Sequence, residues 1–424
     1  MSQFLVEYPL TGPHVWDNPL ARGADGVLRY GNLTPALTEL LDLQVHAFST
    51  REAVVEVGGP RLTYRELWHS ASRIAGGLQE HGIGYGDRVA IHMPSGARWV
   101  QAFLGALLSG AVPVLVPDGL PEAVAERVIV DSRADFVLGR PGGGTELPDG
   151  AAYIDDGAAL SDLALLCYTS GTCTPKGVEL TNENLLSAVR SMVAALDLPT
   201  DGLRNLVLLP LAHASGCVDQ LLPTFAVGGT VVLARDCRRM AEAMADERID
   251  MVSATPRIFA RLVPGLAELR AEGLCTEGVA RISKAGHRAE RAAAPATRIT
   301  STGGVDLTAE LRGVFPAARQ WSVWGATETS GIGLAVDDAE QAADPSGLDA
   351  VLGFPFGGTE LALWGPKATA GHGELLCRGP NVTPRYWDDP TTTAARFTGT
   401  WFHTGDQVTI DADGLVRREA VPAE

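Results

Sequence analysis

The 424-residue sequence has no Cys-x-x-Cys pair, no histidine at zinc-finger spacing and no long cluster of lysine and arginine. Its six cysteines, Cys167, Cys173, Cys217, Cys237, Cys275 and Cys377, are scattered. That scatter argues against a disulfide framework or a cysteine-histidine zinc site, and reads as free thiols in a reducing compartment. The net charge is −17, and the short basic stretch at Arg288 and Arg291 is interrupted by Glu290. Neither a nucleic-acid groove nor an anionic-membrane face is expected from such a charge pattern. The N-terminus lacks a charged head followed by an apolar core, so no signal peptide is expected. The most apolar run, residues 103–116, is broken by Ser109, Gly110 and Pro113. It fits a buried helix leading into a buried strand, not a membrane span. These absences predict a cytoplasmic protein with no nucleic-acid or membrane partner, and no internal repeat or low-complexity tract suggests otherwise.

What the chain does have is core material, with 46% hydrophobic and 20% charged residues, and a length that implies two or three subdomains. Between residues 62 and 138, helix-period and strand-like segments alternate across short Gly/Asp turns, which predicts a mostly parallel sheet covered by helices. A second α/β set has strand candidates at 206–209, 230–233, 251–254 and 298–301, with amphipathic helix candidates at 182–196 and 241–247. The alanine-rich basic segment 284–298 reads as a surface connection or short helix. Residues 351–409 are short β-like pieces punctuated by glycine, and predict a small antiparallel sheet or barrel. The expected fold is thus α/β: two α/β subdomains, over 1–190 and 191–330, and a small antiparallel, barrel-like β subdomain over 331–424.

One loop carries chemistry. Tyr168-Thr169-Ser170-Gly171-Thr172-Cys173-Thr174-Pro175-Lys176-Gly177 places hydroxyl residues around a glycine and closes on a lysine, between the apolar run 163–167 and the strand-like 177–180. Backbone N–H groups in such a turn suit a highly charged anion. It is not a Walker loop, since Lys176 is followed by Gly177 and a strand instead of by Ser or Thr and a helix. By itself the segment reads equally as a hydroxyl-rich connection between strands.

The loop resembles the phosphate loop of the adenylate-forming superfamily, which includes acyl-CoA synthetases, peptide-synthetase adenylation domains and luciferases. The family pattern is Tyr-Thr-Ser-Gly-Thr-Thr-Gly-x-Pro-Lys-Gly. This chain is one residue shorter and lacks the second glycine, whose role is a positive φ and close backbone approach to phosphate. The resemblance extends in order through Leu62-Thr63-Tyr64-Arg65-Glu66-Leu67, Gly86-Asp87-Arg88-Val89-Ala90 and Phe103-Leu104-Gly105-Ala106-Leu107. It continues to Gly373-Glu374-Leu375, Arg378-Gly379-Pro380 and Tyr386-Trp387, segments read as mainly structural.

The resemblance implies roles for particular residues. Thr169, Ser170, Gly171, Thr172 and Lys176 would hold the ATP phosphates. Trp324-Gly325-Ala326-Thr327-Glu328 resembles the family's Tyr-Gly-x-Thr-Glu, which makes Glu328 the Mg²⁺ ligand and Thr327 a donor to the α-phosphate. Trp324 becomes a flat surface beside adenine, with Gly325 in the same nucleotide site. Gly303-Gly304-Val305 looks like the glycine pair lining adenine and the acyl pocket. Asp406, in Thr404-Gly405-Asp406, would accept both ribose hydroxyls. Taken singly, these read as a buried Trp, a surface Glu or Lys, a strand-end turn and a turn Asp.

Pro210-Leu211-Ala212-His213-Ala214-Ser215-Gly216 resembles the Pro-x-x-His-x-x-Gly segment of acyl- and aryl-CoA ligases. That likeness places His213 beside the substrate carboxylate, with Ala214, Gly216, Gly304 and Val305 lining the pocket; alone, His213 is more often a hydrogen-bonded structural histidine. Peptide-synthetase domains carry an aspartate where Ala214 stands, and an α-ammonium buried without it would be costly. A small-molecule carboxylic acid lacking an α-amino group is therefore favoured, although Asp219 could meet an amine elsewhere on it. The reaction implied is ATP-dependent formation of acyl-AMP and pyrophosphate, catalysed through Lys176, Thr327, Glu328 and His213. Coenzyme A or a carrier-protein phosphopantetheine would be the second-step acceptor. Family members continue through a Gly-Arg hinge into a small C-terminal domain, and this sequence reaches Glu424 about where that hinge begins. The expectation is the large N-terminal part alone, completed by a C-terminal domain or carrier protein in trans. The alternative is a divided or degenerate member that binds an acid or acyl-adenylate without forming it.

Overall fold

Short runs of β-branched and aliphatic residues with no polar face build the first sheet. Strands Gly177–Thr181, Leu163–Tyr168, Val112–Leu115, Arg88–Ile91 and Phe136–Leu138 lie side by side in that order, all neighbours parallel except the first pair. The structure is a computed structural model that describes residues 4–9, 20–139, 146–169, 174–234, 240, 243–244, 246–271, 273, 276, 278–287, 307–337 and 351–419. A parallel sheet needs cover on both faces. Helices Tyr64–Glu80 and Ala97–Leu108 supply one face through Ile74, Leu78, Trp99 and Phe103, and helix Glu122–Asp131 supplies the other through Ala125 and Val128.

Local sequence decides where these helices start. Thr63 and Glu66 form a reciprocal capping box ahead of Tyr64, and Thr181 and Asn184 form another ahead of helix Asn182–Ala195. Each satisfies two amide donors that a helix start otherwise leaves unpaired. Gly105 lets helix Ala97–Leu108 lie directly on Ile74, because a Cβ there would stand 2.5 Å from Cγ2 of Ile74.

The second sheet is larger. Six strands, Glu52–Glu56, Thr230–Leu233, Arg204–Val207, Met251–Ala254, Arg281–His287 and Arg319–Ala326, run parallel in that spatial order. Glu52–Glu56 belongs to the block expected as the first subdomain, yet it pairs with Thr230–Leu233, so the two sheets share chain from residue 52 onward. Strand Gly331–Asp337 then turns back antiparallel. From it the sheet continues through Val351–Pro355, Val416–Arg418, Trp401–Ile410, His372–Arg378, Glu360–Trp364 and Leu5–Tyr8. The antiparallel sheet expected from the glycine-punctuated region is present; it is open, and it is hydrogen-bonded to the parallel strands without a break.

One reading is corrected. Residues 284–287, placed with the basic surface segment, lie on a central parallel strand, and Lys284 is buried with its ammonium donating to the Thr308 hydroxyl at 3.0 Å. A lysine and a glycine hide the apolar alternation there. The rest of that segment and the strand candidate at 298–301 lie outside the described residues, as does part of the helix candidate 241–247. Among the described residues no helix is long and apolar enough to cross a membrane.

The contact beneath Gly105 gives a stability test. Gly105→Ala forces either helix Ala97–Leu108 or Ile74 to shift, and should destabilise the protein by about 1–3 kcal/mol in urea unfolding. An unchanged midpoint would mean that the two helices are not in that close contact.

Candidate functional site

The phosphate loop is closed at its base by two bonds. The Thr169 N–H donates to the Lys176 carbonyl at 3.0 Å, and the Lys176 N–H donates to the Thr169 hydroxyl at 3.1 Å. This pair continues the antiparallel ladder of Leu163–Tyr168 with Gly177–Thr181 and presents the loop at the carboxyl end of a sheet, where α/β folds place ligands. Ser170, Gly171 and Thr172 lie outside the described residues, as do Gly303, Gly304 and Val305. Lys176 is not a solvated surface lysine. Its ammonium donates to the Thr392 hydroxyl at 3.0 Å and lies 5.7 Å from the ring centroid of Tyr386.

Glu328 arrives from the other sheet. Strand Arg319–Ala326 ends in a single 3₁₀ turn, Thr327–Thr329, followed by Ser330 at φ 54° and Gly331 at φ 92°. The Thr329 hydroxyl accepts the Ala326 N–H at 3.0 Å, which folds the turn onto itself. Three bonds hold the turn from outside: Ser330 Oγ donates to the Asn381 carbonyl, Asn381 Nδ2 to the Thr329 carbonyl, and the Thr383 N–H to the Glu328 carbonyl. Gly325 permits the return strand, since a Cβ there would stand 1.7 Å from the Gly331 carbonyl. Thr327 is half-buried on the same turn.

The Glu328 carboxylate is 6% exposed, and its Oε1 accepts the Tyr386 hydroxyl at 2.6 Å. Tyr386 therefore stands between Lys176 and Glu328. Among the described residues Oε2 accepts no hydrogen bond, and no group of three or more His, Cys, Asp or Glu side chains gathers as a metal cluster. One carboxylate beside a phosphate loop fits Mg²⁺, which is held by one or two carboxylates with substrate phosphates and water.

At the nucleoside end, Trp324 is 2% exposed and belongs to the cluster of buried residues that includes Leu334, Leu352 and Val408. What it offers the site is its edge: the indole N–H donates to Asp406 Oδ2 at 3.2 Å. Arg418 donates to Asp406 Oδ1 at 3.0 Å, and the Asp406 N–H is taken by the Thr404 hydroxyl at 3.1 Å. Asp406 is thus oriented through both oxygens, each with a further lone pair for a ribose hydroxyl.

On the acyl side, His213 caps the short helix Ala214–Gly216, which passes into the π-turn Cys217–Leu221. Such turns recur at functional sites. Gly216 is required because a Cβ would stand 2.1 Å from the Pro210 carbonyl. Burial pushes the His213 imidazole below its usual range, partly opposed by Asp118, so it is neutral at pH 7. Ala214 is buried. Asp219 Oδ1 accepts the Ile332 N–H at 3.1 Å, and burial raises this carboxyl well above the usual carboxylate range.

The sequence did not signal Tyr386, Thr392 or Arg418 as site residues. Tyr386 sits in a segment read as structural, and nothing in a lone buried tyrosine shows where its hydroxyl points. A folded Asp219 that holds its proton above the ordinary carboxylate range has a defined consequence. Its contribution to stability is full below the unfolded value and falls as pH rises towards the folded one, by up to about 1.4 kcal/mol per pH unit. Asp219→Asn cannot ionise, so urea unfolding should show the variant gaining on the wild type as pH rises above the ordinary carboxylate range. Parallel profiles would contradict the raised carboxyl.

Comparison with known proteins agrees with this geometry. The family described as "AMP-binding enzyme" matches residues 41–154 and 144–387. The feruloyl-CoA synthase of an Amycolatopsis species is 30% identical over 395 residues, covering 86% of this chain and 74% of that protein. The long-chain-fatty-acid–CoA ligase FadD13 of Mycobacterium tuberculosis is 28% identical over 396 residues, covering 84% and 72%. In three dimensions, the inhibitor-bound N-terminal domain of FACL13 from M. tuberculosis aligns with a TM-score of 0.75 at 23% identity, over 92% of this chain and all of that one. That likeness shows the fold to be the one seen in that N-terminal domain. With the family matched over most of its length and a relative at 30% identity, the chain belongs to the AMP-binding enzymes, the adenylate-forming ligases.

Proposed function

We propose that this protein activates a carboxylic acid without an α-amino group, forming acyl-AMP and pyrophosphate from ATP, and that coenzyme A or a carrier-protein phosphopantetheine then accepts the acyl group. The observation that carries the reading is the convergence of Lys176 and Glu328, 152 positions apart in sequence, on the single side chain Tyr386. An ammonium beside a phosphate loop and a hard carboxylate oxygen near it are what a metal-bound triphosphate needs. Magnesium bound at Glu328 would neutralise phosphate charge and polarise the reacting phosphorus.

The chain's own residues do the rest by positioning. Lys176 pairs with the departing pyrophosphate, and reaching it means leaving Thr392. Thr327, next to Glu328, donates to the α-phosphate, and Asp406, fixed by Trp324 and Arg418, accepts the ribose hydroxyls. Gly325 keeps the backbone thin beside the nucleotide. A neutral His213 donates to or accepts from the acid without adding charge. The carboxylate oxygen of the substrate bonds to the α-phosphorus as the bond to pyrophosphate breaks.

The preference against α-amino acids rests on two buried side chains. Ala214 offers no carboxylate, and burial disfavours the negative charge on Asp219 that an ammonium would need. The relatives named feruloyl-CoA synthase and long-chain-fatty-acid–CoA ligase act, by those names, on acids without an amine, which supports the same class. Nothing in the comparisons supports a non-catalytic binding module.

Mass spectrometry of acyl-AMP formed from a panel of aryl, aliphatic and amino acids tests this. Adenylates should form with acids lacking an α-amine, and an α-amino analogue should be poorer by about 100-fold or more, from the few kcal/mol that an unpaired buried ammonium costs. Glu328→Gln should lower adenylate formation at least about tenfold, a loss of ~1.4 kcal/mol in the transition state. Adenylate formation from amino acids alone would overturn the substrate class. Binding of ATP with no adenylate from any acid, with or without an added C-terminal domain, would overturn the activity.

A further inference from the structure

Tyr386 is the one side chain among the described residues that touches both charged groups of the candidate phosphate site, and nothing so far gives it a task. It lies in the core at 2% exposure, in an isolated antiparallel bridge with Val178, the residue two beyond Lys176. Its own N–H donates to the Thr393 hydroxyl at 3.1 Å, and Asp389 caps the helix Pro390–Arg396 that brings Thr392 to Lys176. Backbone and ring are therefore fixed before any ligand arrives. The hydroxyl donates to Glu328 Oε1 at 2.6 Å, with Arg396 also beside it.

We propose that the Tyr386 hydroxyl is the positioning group for the Glu328 carboxylate, holding one oxygen so that the other is left as the divalent-cation donor. The proposal rests on the reading of Glu328 as the metal ligand and adds the residue that aims it. A free glutamate loses rotamer entropy when it is fixed. A carboxylate already tethered has lost most of that freedom on folding. A phenol is the right tether, because it donates one proton and takes no share of the metal. A phenol is a donor at neutral pH without any shift, because its ordinary pKa is about 10. Partners of this kind, bonded to a metal ligand and not to the metal, commonly carry 10- to 100-fold in metal affinity.

The ring and the hydroxyl of Tyr386 do separable things, and that makes the test specific. Tyr386→Phe keeps the ring under Lys176 and removes only the donor. Calorimetric titration of the full chain with ATP, at stepped Mg²⁺ concentrations and again in EDTA, reads the two effects apart. The expected result is a Mg²⁺ requirement for tight ATP binding raised about 10- to 100-fold, with metal-free ATP affinity unchanged. Glu328→Gln should raise the requirement at least as far, and Tyr386→Phe added to Glu328→Gln should change nothing more. A purely structural tyrosine would instead weaken ATP binding equally with and without metal, and that outcome overturns the proposal. A wild-type Mg²⁺ requirement in Tyr386→Phe, with Glu328→Gln still impaired, overturns it while leaving Glu328 as the ligand. If Glu328→Gln also keeps the wild-type requirement, the metal-ligand reading fails and the proposal with it. Should the Phe variant not fold, Tyr386→Met, which also carries no hydrogen-bond donor to the carboxylate, gives the same comparison with the same expected shift.

Discussion

The strap of residues 379–387 binds the two sheets at the point where their chemistry meets. On one side its main chain is gripped by the phosphate-loop hairpin and the helix behind it. Asn184 Nδ2 donates to the carbonyls of Pro380 and Val382, Thr383 Oγ1 to the Glu179 carbonyl, and the Trp387 N–H to the Gly177 carbonyl at 2.8 Å. On its other side the same strap fixes the Glu328 turn through Asn381 and Thr383. A loop with its polar groups so fully spent is a joint, not a linker. Without it Lys176 and Glu328 would belong to separate sheets with no common geometry.

Charge is handled consistently around that joint. Burial pushes the Asp219 carboxyl above its usual range and the His213 imidazole below its own, so both shifts disfavour charge there. Glu328 is buried yet bonded through one oxygen, and Asp406 is shared between an indole and a guanidinium. The charges that remain are those a metal, a polyphosphate and a ribose can answer. Electrostatic groups set in place before the substrate arrives cost no reorganisation during reaction.

Much of this was legible in the residues. Apolar runs pointed to 112–116, 163–167, 230–233 and 251–254, where strands Val112–Leu115, Leu163–Tyr168, Thr230–Leu233 and Met251–Ala254 lie. The family segments brought Lys176, Glu328, Asp406 and His213 to notice one by one. Three things stayed hidden for physical reasons. Arg281–His287 carries a buried lysine paired across space with Thr308, which no local pattern displays. The indole of Trp324 meets Asp406, 82 residues later, and a motif does not show where an indole N–H points. Tyr386 looks like any core aromatic until the turn 58 residues earlier in the chain is seen to present a carboxylate to its hydroxyl.

The most direct test of the central claim, that these groups direct a carboxylate onto the α-phosphorus of ATP, is the fate of the acid's own oxygen. With the carboxylate labelled by ¹⁸O, turnover through acyl-AMP leaves one labelled oxygen in the AMP released when the thiol or water attacks the acyl carbon. The account predicts label in AMP and none in inorganic phosphate or pyrophosphate. Label in inorganic phosphate would mean attack at the terminal phosphorus, and would contradict it.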